Sequence, residues 1–160
     1  MSAPRPYKLP VSVLVVIHTP ALDVLLIERA RQPGFWQSVT GSIDAPDEPL
    51  AATAMREVEE ETGIRVGTPD VPRAALRDWH LANVYEIYPL WRERYAPGEW
   101  KNTEHVFSLE VPAGTLVRLA PREHRAQTWL PWAQAAGRCF SASNAAAIEQ
   151  LPRRTARWCR

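Results

Sequence analysis

The sequence predicts an α/β (α+β) fold, a mixed β-sheet sandwiched between helices, and three observations carry that reading. Short runs of β-branched and aromatic residues, such as "VSVLVVIH" and "EHVFSLEVP", recur along the chain. The segments around "AATAMREVEEET" and "SNAAAIEQ" space their apolar residues at helical intervals instead. Strands interspersed with a few helices pack best as a sheet covered by helices. At 160 residues the chain is read as one domain, 1–160, long enough to bury a single core.

Composition narrows the class. A hydrophobic fraction of 46% is too high for a disordered chain. A formal net charge of +1 argues against a nucleic-acid-coating protein, so no nucleic-acid partner is expected. No apolar run approaches the roughly 18 residues needed to span a bilayer. The opening "MSAPRPYKLP" lacks the apolar centre of a signal peptide. Cys139 and Cys159 form neither a disulfide framework nor a metal motif. A cytoplasmic setting with no membrane partner is therefore expected, while oligomeric state is left open.

The elements follow in order. Val11–His18 reads as a buried strand and Val24–Arg29 as its hairpin partner across "TPALD". "RQPGFW" is a loop because of Pro33 and Gly34, and "QSVTGSI" is a short strand. After the loop "DAPDEP" a helix is expected, capped by Asp47 or Glu48, with Pro49 in its first turn and Gly63 at its end. Leu50, Ala54 and Val58 make its buried stripe. "NVYEIYPLW", "EHVFSLEVP" and "AQTWL" read as strands, and "WAQAAG" as helical. "SASNAAAIEQL" is a closing helix with Ser141 or Ser143 as cap and Pro152 beyond it. Residues 1–5 and 153–160 are expected to be flexible ends.

The helix that starts near Pro49 carries "REVEEETGI", which crowds acids into one turn. At about 100° per residue, Glu57, Glu60 and Glu61 share a face and Glu59 points to solvent. Such like charges repel, and a hard divalent cation such as Mg²⁺ or Mn²⁺ would relieve the repulsion with oxygen ligands. Taken alone, the run equally suits a solvated acidic face, the usual fate of charge runs.

The surrounding pattern decides between them. "GSIDAPDEPLAATAMREVEEETGI" resembles the signature of the Nudix family, matching it at Gly41, Glu48, Arg56, Glu57, Val58, Glu60, Glu61, Gly63 and Ile64. One extra residue separates Gly41 from Glu48, and it is placed in the loop "DAPDEP", where an insertion costs little. The resemblance implies a Nudix fold with its box at about 41–64. It also implies Mg²⁺-dependent hydrolysis of a phosphoanhydride, with Mn²⁺ as an alternative cofactor. Glu57, Glu60 and Glu61 would hold metal, and Arg56 would pair with a neighbouring carboxylate and fix its rotamer. Cations held this way neutralise phosphate charge and lower the pKa of a bound water.

Further stretches, including "YKLPVSVLVVI", "PGFWQSVTGSI", "RYAPG", "NTEHVFSLEVP" and "REHRAQTWL", are similar to Nudix enzymes of folate biosynthesis. That likeness implies hydrolysis of 7,8-dihydroneopterin triphosphate to the monophosphate and pyrophosphate. It makes Glu123 a metal ligand or a water-orienting base, while the adjacent His124 is read as bland. Lys8 and Arg29, at strand ends, are candidates to meet phosphate oxygens. Phe35 and Trp36 are candidates to stack on a flat pterin, with core packing as the rival for one of them. Gln37, Ser38, Asn102 and Asn144 are candidates to read its polar edge, though turn and cap roles also suit the two asparagines. Trp129 and Trp132 are assigned to the core. The expected partner is thus a small molecule, a pterin or nucleoside triphosphate. Two other readings stay open: a house-cleaning nucleoside triphosphate or dinucleoside polyphosphate hydrolase, and a non-catalytic ligand-binding module.

Overall fold

The computed structural model describes residues 4–158. Its centre is a seven-stranded mixed sheet. Strand β1 (Val11–His18) runs parallel to β6 (Lys101–Glu110) from Val11↔Thr103 to His18↔Glu110. On its other side β1 meets two antiparallel partners in turn. Its first half pairs with β4 (Val39–Ser42), and its end pairs with β2 (Asp23–Arg29) at His18↔Val24. Strand β2 then carries β3 (Trp36–Gln37) and β7 (His124–Pro131), while β5 (Leu76–Glu86) closes the far edge against β6.

The apolar run Val13 to Ile17 of β1 follows from burial on both faces. Val13, Val15 and Ile17 pack with Ala54 and Val58 of helix α1 (Leu50–Thr62). Leu14 and Val16 face the opposite way, onto Ala135, Ala147, Ile148 and Leu151. Those residues come from α2 (Trp132–Arg138) and α3 (Ala142–Trp158). A strand with period two thus joins two helix layers through one sheet. Trp129 packs against the first of these cores and Trp132 against the second.

Four expectations about the elements are corrected. Neither Asp47 nor Glu48 caps α1: Pro49 occupies the cap position without a side-chain bond, because Glu48 is engaged by Arg56 and Thr53. "NVYEIYPLW" is not one strand: β5 begins earlier and ends at Glu86, and Pro89–Arg94 forms a 3-10 turn, since Pro89 has no N–H for a ladder. Pro152 lies inside α3 rather than beyond it. The segment 153–158 is therefore helical, held in part by Arg154 over the Trp79 ring at 4.3 Å and Arg77 over Trp158 at 4.5 Å. Residues 1–3 and 159–160, including Cys159, lie outside the described residues. Gly63 does end α1, with φ 74° and its N–H on the Glu59 carbonyl, a left-handed geometry that favours glycine. Among the described residues no helix is long and apolar enough to cross a membrane.

Candidate active site

A cleft of about 970 Å³ opens where α1, the starts of β1 and β6, the 89–94 turn and the loop before β7 converge. Its first wall is acidic. Helix periodicity aims Glu57, Glu60 and Glu61 into the cleft, while Glu59 turns away and pairs with Arg65 at 2.8 Å. The three differ in burial: the Glu60 side chain is 58% exposed, that of Glu57 13%, and Glu61 is buried. Glu61 Oε2 accepts the Thr40 N–H at 3.3 Å. Across from the helix, the loop before β7 supplies Glu123, and His124 is the first residue of β7.

The electrostatics of this wall would suit a cation. Burial pushes the Glu57 carboxyl up to about 7 against the pull of Arg56. Glu61 is raised well above the ordinary carboxylate range by burial, then by the charges of Glu57 and Glu123. His124 is pushed down to about 4 by burial and by Arg29, so its imidazole is neutral, and neither ring nitrogen has a hydrogen-bond partner among the described residues. Glu61, Glu123 and His124 each offer an atom within 4.8 Å of the other two. Crowded carboxylates beside an unpartnered imidazole fit a divalent cation.

Arg56 organises the acids. Nη1 donates to Glu57 Oε1 at 2.7 Å, and Nη2 donates to Glu48 Oε1 at 2.9 Å and the Ser42 carbonyl at 3.0 Å. Asp44 completes the cluster, 3.2 Å from Nε. The extra residue of the 44–49 loop leaves Glu48 on Arg56, outside the cleft wall. Arg56 and Thr53 hold the Glu48 carboxyl down at about 2. Gly41 permits this arrangement, because a Cβ there would overlap the Glu57 carboxylate.

The second wall is cationic. Lys8, Arg29 and Arg94 all face the cleft. Burial and Arg94 lower the Lys8 pKa, while Glu57 and Glu61 pull it back up. Arg29 is aimed by Gln37, whose Oε1 accepts from Nη1 at 3.1 Å, and by Trp91, whose ring centroid lies 4.4 Å from the guanidinium carbon.

The third wall combines flat rings with buried polar groups. Tyr88, Trp91 and Phe140 line the cleft, with Phe35 stacked behind Phe140 at 4.7 Å between centroids. Ser12, Gln37, Tyr85, Asn102, Glu104 and Asn144 supply the polar part. Among the described residues Gln37 Nε2 and Asn102 Oδ1 have no hydrogen-bond partner.

Of the sequence-derived candidates, the cleft brings together Glu57, Glu60, Glu61, Glu123, Arg56, Lys8, Arg29, Gln37, Asn102 and Asn144. Three others do not line it. Trp36 packs on the α2–α3 side beneath the Arg138 guanidinium, and Phe35 supports the aromatic wall from behind. Ser38 is buried and exchanges hydrogen bonds with Asn144, which ties β3–β4 to α3. Sequence reasoning missed Tyr85, Tyr88, Trp91, Arg94, Glu104 and Phe140, and set His124 aside. Only Glu104 carried a signal: it stands two residues from Asn102 on a strand and so shares its face.

The family description that matches the chain is the NUDIX domain, over residues 8–151. A dihydroneopterin triphosphate diphosphatase of Escherichia coli is 42% identical over 146 residues, covering 91% of this chain and 93% of that protein. The corresponding enzyme of Haemophilus influenzae is 37% identical over 145 residues, covering 90% and 88% respectively. The solved structure of the Escherichia coli dihydroneopterin triphosphate pyrophosphohydrolase superposes with a TM-score of 0.83 at 41% identity, covering 91% of this chain and 97% of that one.

Proposed function

The chain belongs to the Nudix family of hydrolases, and on that premise we propose that it converts 7,8-dihydroneopterin triphosphate to the monophosphate and pyrophosphate. One observation carries this reading beyond the likeness to its relatives. A single cleft joins a carboxylate cluster and a cationic wall to a wall of flat rings and buried polar groups. A triphosphate suits the charged end and a pterin the other.

Nudix hydrolases typically use divalent metals. Glu57, Glu60, Glu61 and Glu123 would hold the cation, and their oxygens favour Mg²⁺, with Mn²⁺ tolerated by the neighbouring imidazole of His124. When bound, it would withdraw charge from the phosphoanhydride and acidify a water. The protein's own part is positioning and neutralisation. Arg56 locks the Glu57 rotamer, so the ligand oxygens need no rearrangement on binding. Lys8, Arg29 and Arg94 balance the triphosphate oxygens, Arg29 from a side chain already held by Gln37 and Trp91. Glu123, with an oxygen within 4.8 Å of ligand atoms of Glu61 and His124, would orient the attacking water or share the metal. Trp91 and Phe140 provide stacking faces for the pterin.

The test is to incubate the purified protein with the pterin triphosphate and Mg²⁺, identify both products, and compare kcat/KM with a panel of dNTPs and dinucleoside polyphosphates. Pyrophosphate release with a clear preference for the pterin substrate is expected. Turnover no faster than that of ordinary dNTPs would remove the substrate assignment while leaving the reaction class.

A further inference from the structure

Glu104 is a buried carboxylate in the cleft that the hydrolytic chemistry leaves unused. It sits on β6 opposite Ser12 of β1, and Tyr85 of β5 pairs with its strand neighbour Asn102. Two hydroxyls donate to it: Ser143 to Oε1 at 2.9 Å and Tyr85 to Oε2 at 3.3 Å. The polarity of the second bond is fixed from outside. Asn102 Nδ2 donates to the Tyr85 oxygen at 3.1 Å and to Ser12 Oγ at 2.7 Å, so the phenol proton is free to turn to Glu104.

Tying β6 to α3 requires only an acceptor for Ser143, and a glutamine would supply one. The charge is what lacks an internal explanation. Among the described residues Glu104 forms no ion pair. Burial raises its pKa, against which the Ser143 and Tyr85 donors pull. A buried carboxylate without a counter-cation is costly unless further N–H donors reach it. A carboxylate accepts at about four lone-pair positions. The two internal donors leave about two of these for a ligand, one on each oxygen.

We propose that Glu104 selects the substrate by accepting two parallel N–H bonds from a 2-amino-4-oxopyrimidine edge, the ring N–H and the adjacent exocyclic amine of a pterin. The proposal rests on the pterin reading above and deepens it. The match is specific because of donor order. Adenine and cytosine place a donor beside a bare ring nitrogen, and uracil and hypoxanthine flank their ring N–H without an amine, so each leaves an oxygen of Glu104 unpaired. Guanine alone among the common bases shares the pterin's donor pair. Leaving a buried polar group unpaired is a strong means of rejection. Tyr85 acts as a positioning residue by donating to the carboxylate, and Asn102 acts through Tyr85.

The experiment compares kcat/KM for the pterin triphosphate, GTP, ITP and ATP in the wild type and in Glu104→Gln, with folding checked by thermal melting. GTP and ITP differ only in the 2-amino group, so their ratio isolates the proposed bond. The wild type is expected to prefer GTP over ITP by at least about 10-fold, a ratio that collapses toward one in Glu104→Gln. The pterin triphosphate is expected to lose about 10²-fold in the variant, mainly through KM. Equal wild-type rates on GTP and ITP, including equally negligible ones, overturn the inference without any variant. So does a folded Glu104→Gln that keeps the wild-type ratio. A wild type that ignores the pterin triphosphate yet prefers GTP over ITP would instead sink the function proposed above and leave the role of Glu104 standing.

Discussion

Replacing Gly41 by alanine asks whether the Glu57 carboxylate must sit where it does. Gly41 lies on β4 opposite Val13, and an added Cβ would fall inside that carboxylate. The residue is absent from the positive-φ glycines, so alanine brings no backbone strain. Restricting the unfolded chain even favours the variant by about 0.4–1 kcal/mol. The methyl therefore acts on one movable side chain. Glu57 must swing away and give up its 2.7 Å bond to Arg56. A charge-assisted bond of that kind contributes about 1.5–3 kcal/mol. Arg56 keeps Glu48, Asp44 and the Ser42 carbonyl, so its charge stays compensated. The difference is a net loss of about 0.5–2.6 kcal/mol, which lowers the Tm of a chain this size by roughly 1–10 °C. Catalysis should suffer far more, because misplacing a catalytic group by about 1 Å costs about 10²-fold. Pyrophosphate release at saturating Mg²⁺ and thermal melting on the same samples check both numbers. Full kcat in a folded Gly41→Ala protein would refute the placement of Glu57. A Tm fall beyond roughly 15 °C would show that the methyl strikes core rather than a mobile carboxylate.

Glu61→Gln should abolish most turnover yet raise the Tm of chelator-treated protein above pH 5, since the wild-type carboxyl is raised and its ionisation opposes folding as pH rises; a lower Tm there would contradict the burial argument. Glu48 has the opposite sign: its carboxyl is held down at about 2, so its stabilisation is present at neutral pH and is lost as pH falls from about 4.5 to 2. At about 1.4 kcal/mol per pH unit the ceiling is about 3 kcal/mol, and urea midpoints of Glu48→Gln and wild type should differ at pH 7 and converge toward pH 2. Glu59→Gln should leave kcat and Tm nearly unchanged, because its exposed pair with Arg65 contributes at most about 1 kcal/mol; a large loss of activity would mean the acidic face of α1 is rotated. Chelation should extinguish hydrolysis and added Mg²⁺ should restore it, which a steady-state assay with and without chelator decides.

What the sequence made legible is what local rules govern. The face shared by Glu57, Glu60 and Glu61 follows from helical spacing, and the stop at Gly63 from its left-handed backbone. The strands β1 and β6 follow from runs of β-branched and aromatic residues. Local rules fail where tertiary contacts override them. Pro152 reads as a helix terminator, yet α3 continues because Leu151 is buried and Arg154 and Trp158 stack on β5 side chains. The stretch "NVYEIYPLW" reads as strand from its tyrosines and tryptophan, but Pro89 turns its end and delivers Trp91 to Phe35, Phe140 and Arg29.

The polar wall of the cleft, to which substrate choice is assigned by proposal, was the least legible part, and the reason is physical. Asn102, Glu104, Ser12, Tyr85 and Ser143 become neighbours only through the parallel β1–β6 pairing, the β5–β6 ladder and the docking of α3. No spacing along the chain encodes a cross-strand register. Glu104 in isolation is one more strand glutamate, and His124 one more loop histidine; burial is what makes each unusual. The acids proposed to hold the metal announce themselves because a single helix presents several of them together. Substrate-reading groups need no such clustering, since each contributes one or two bonds from a different element. Reaction class was therefore written locally in α1, whereas the groups that would choose the substrate are assembled by the fold.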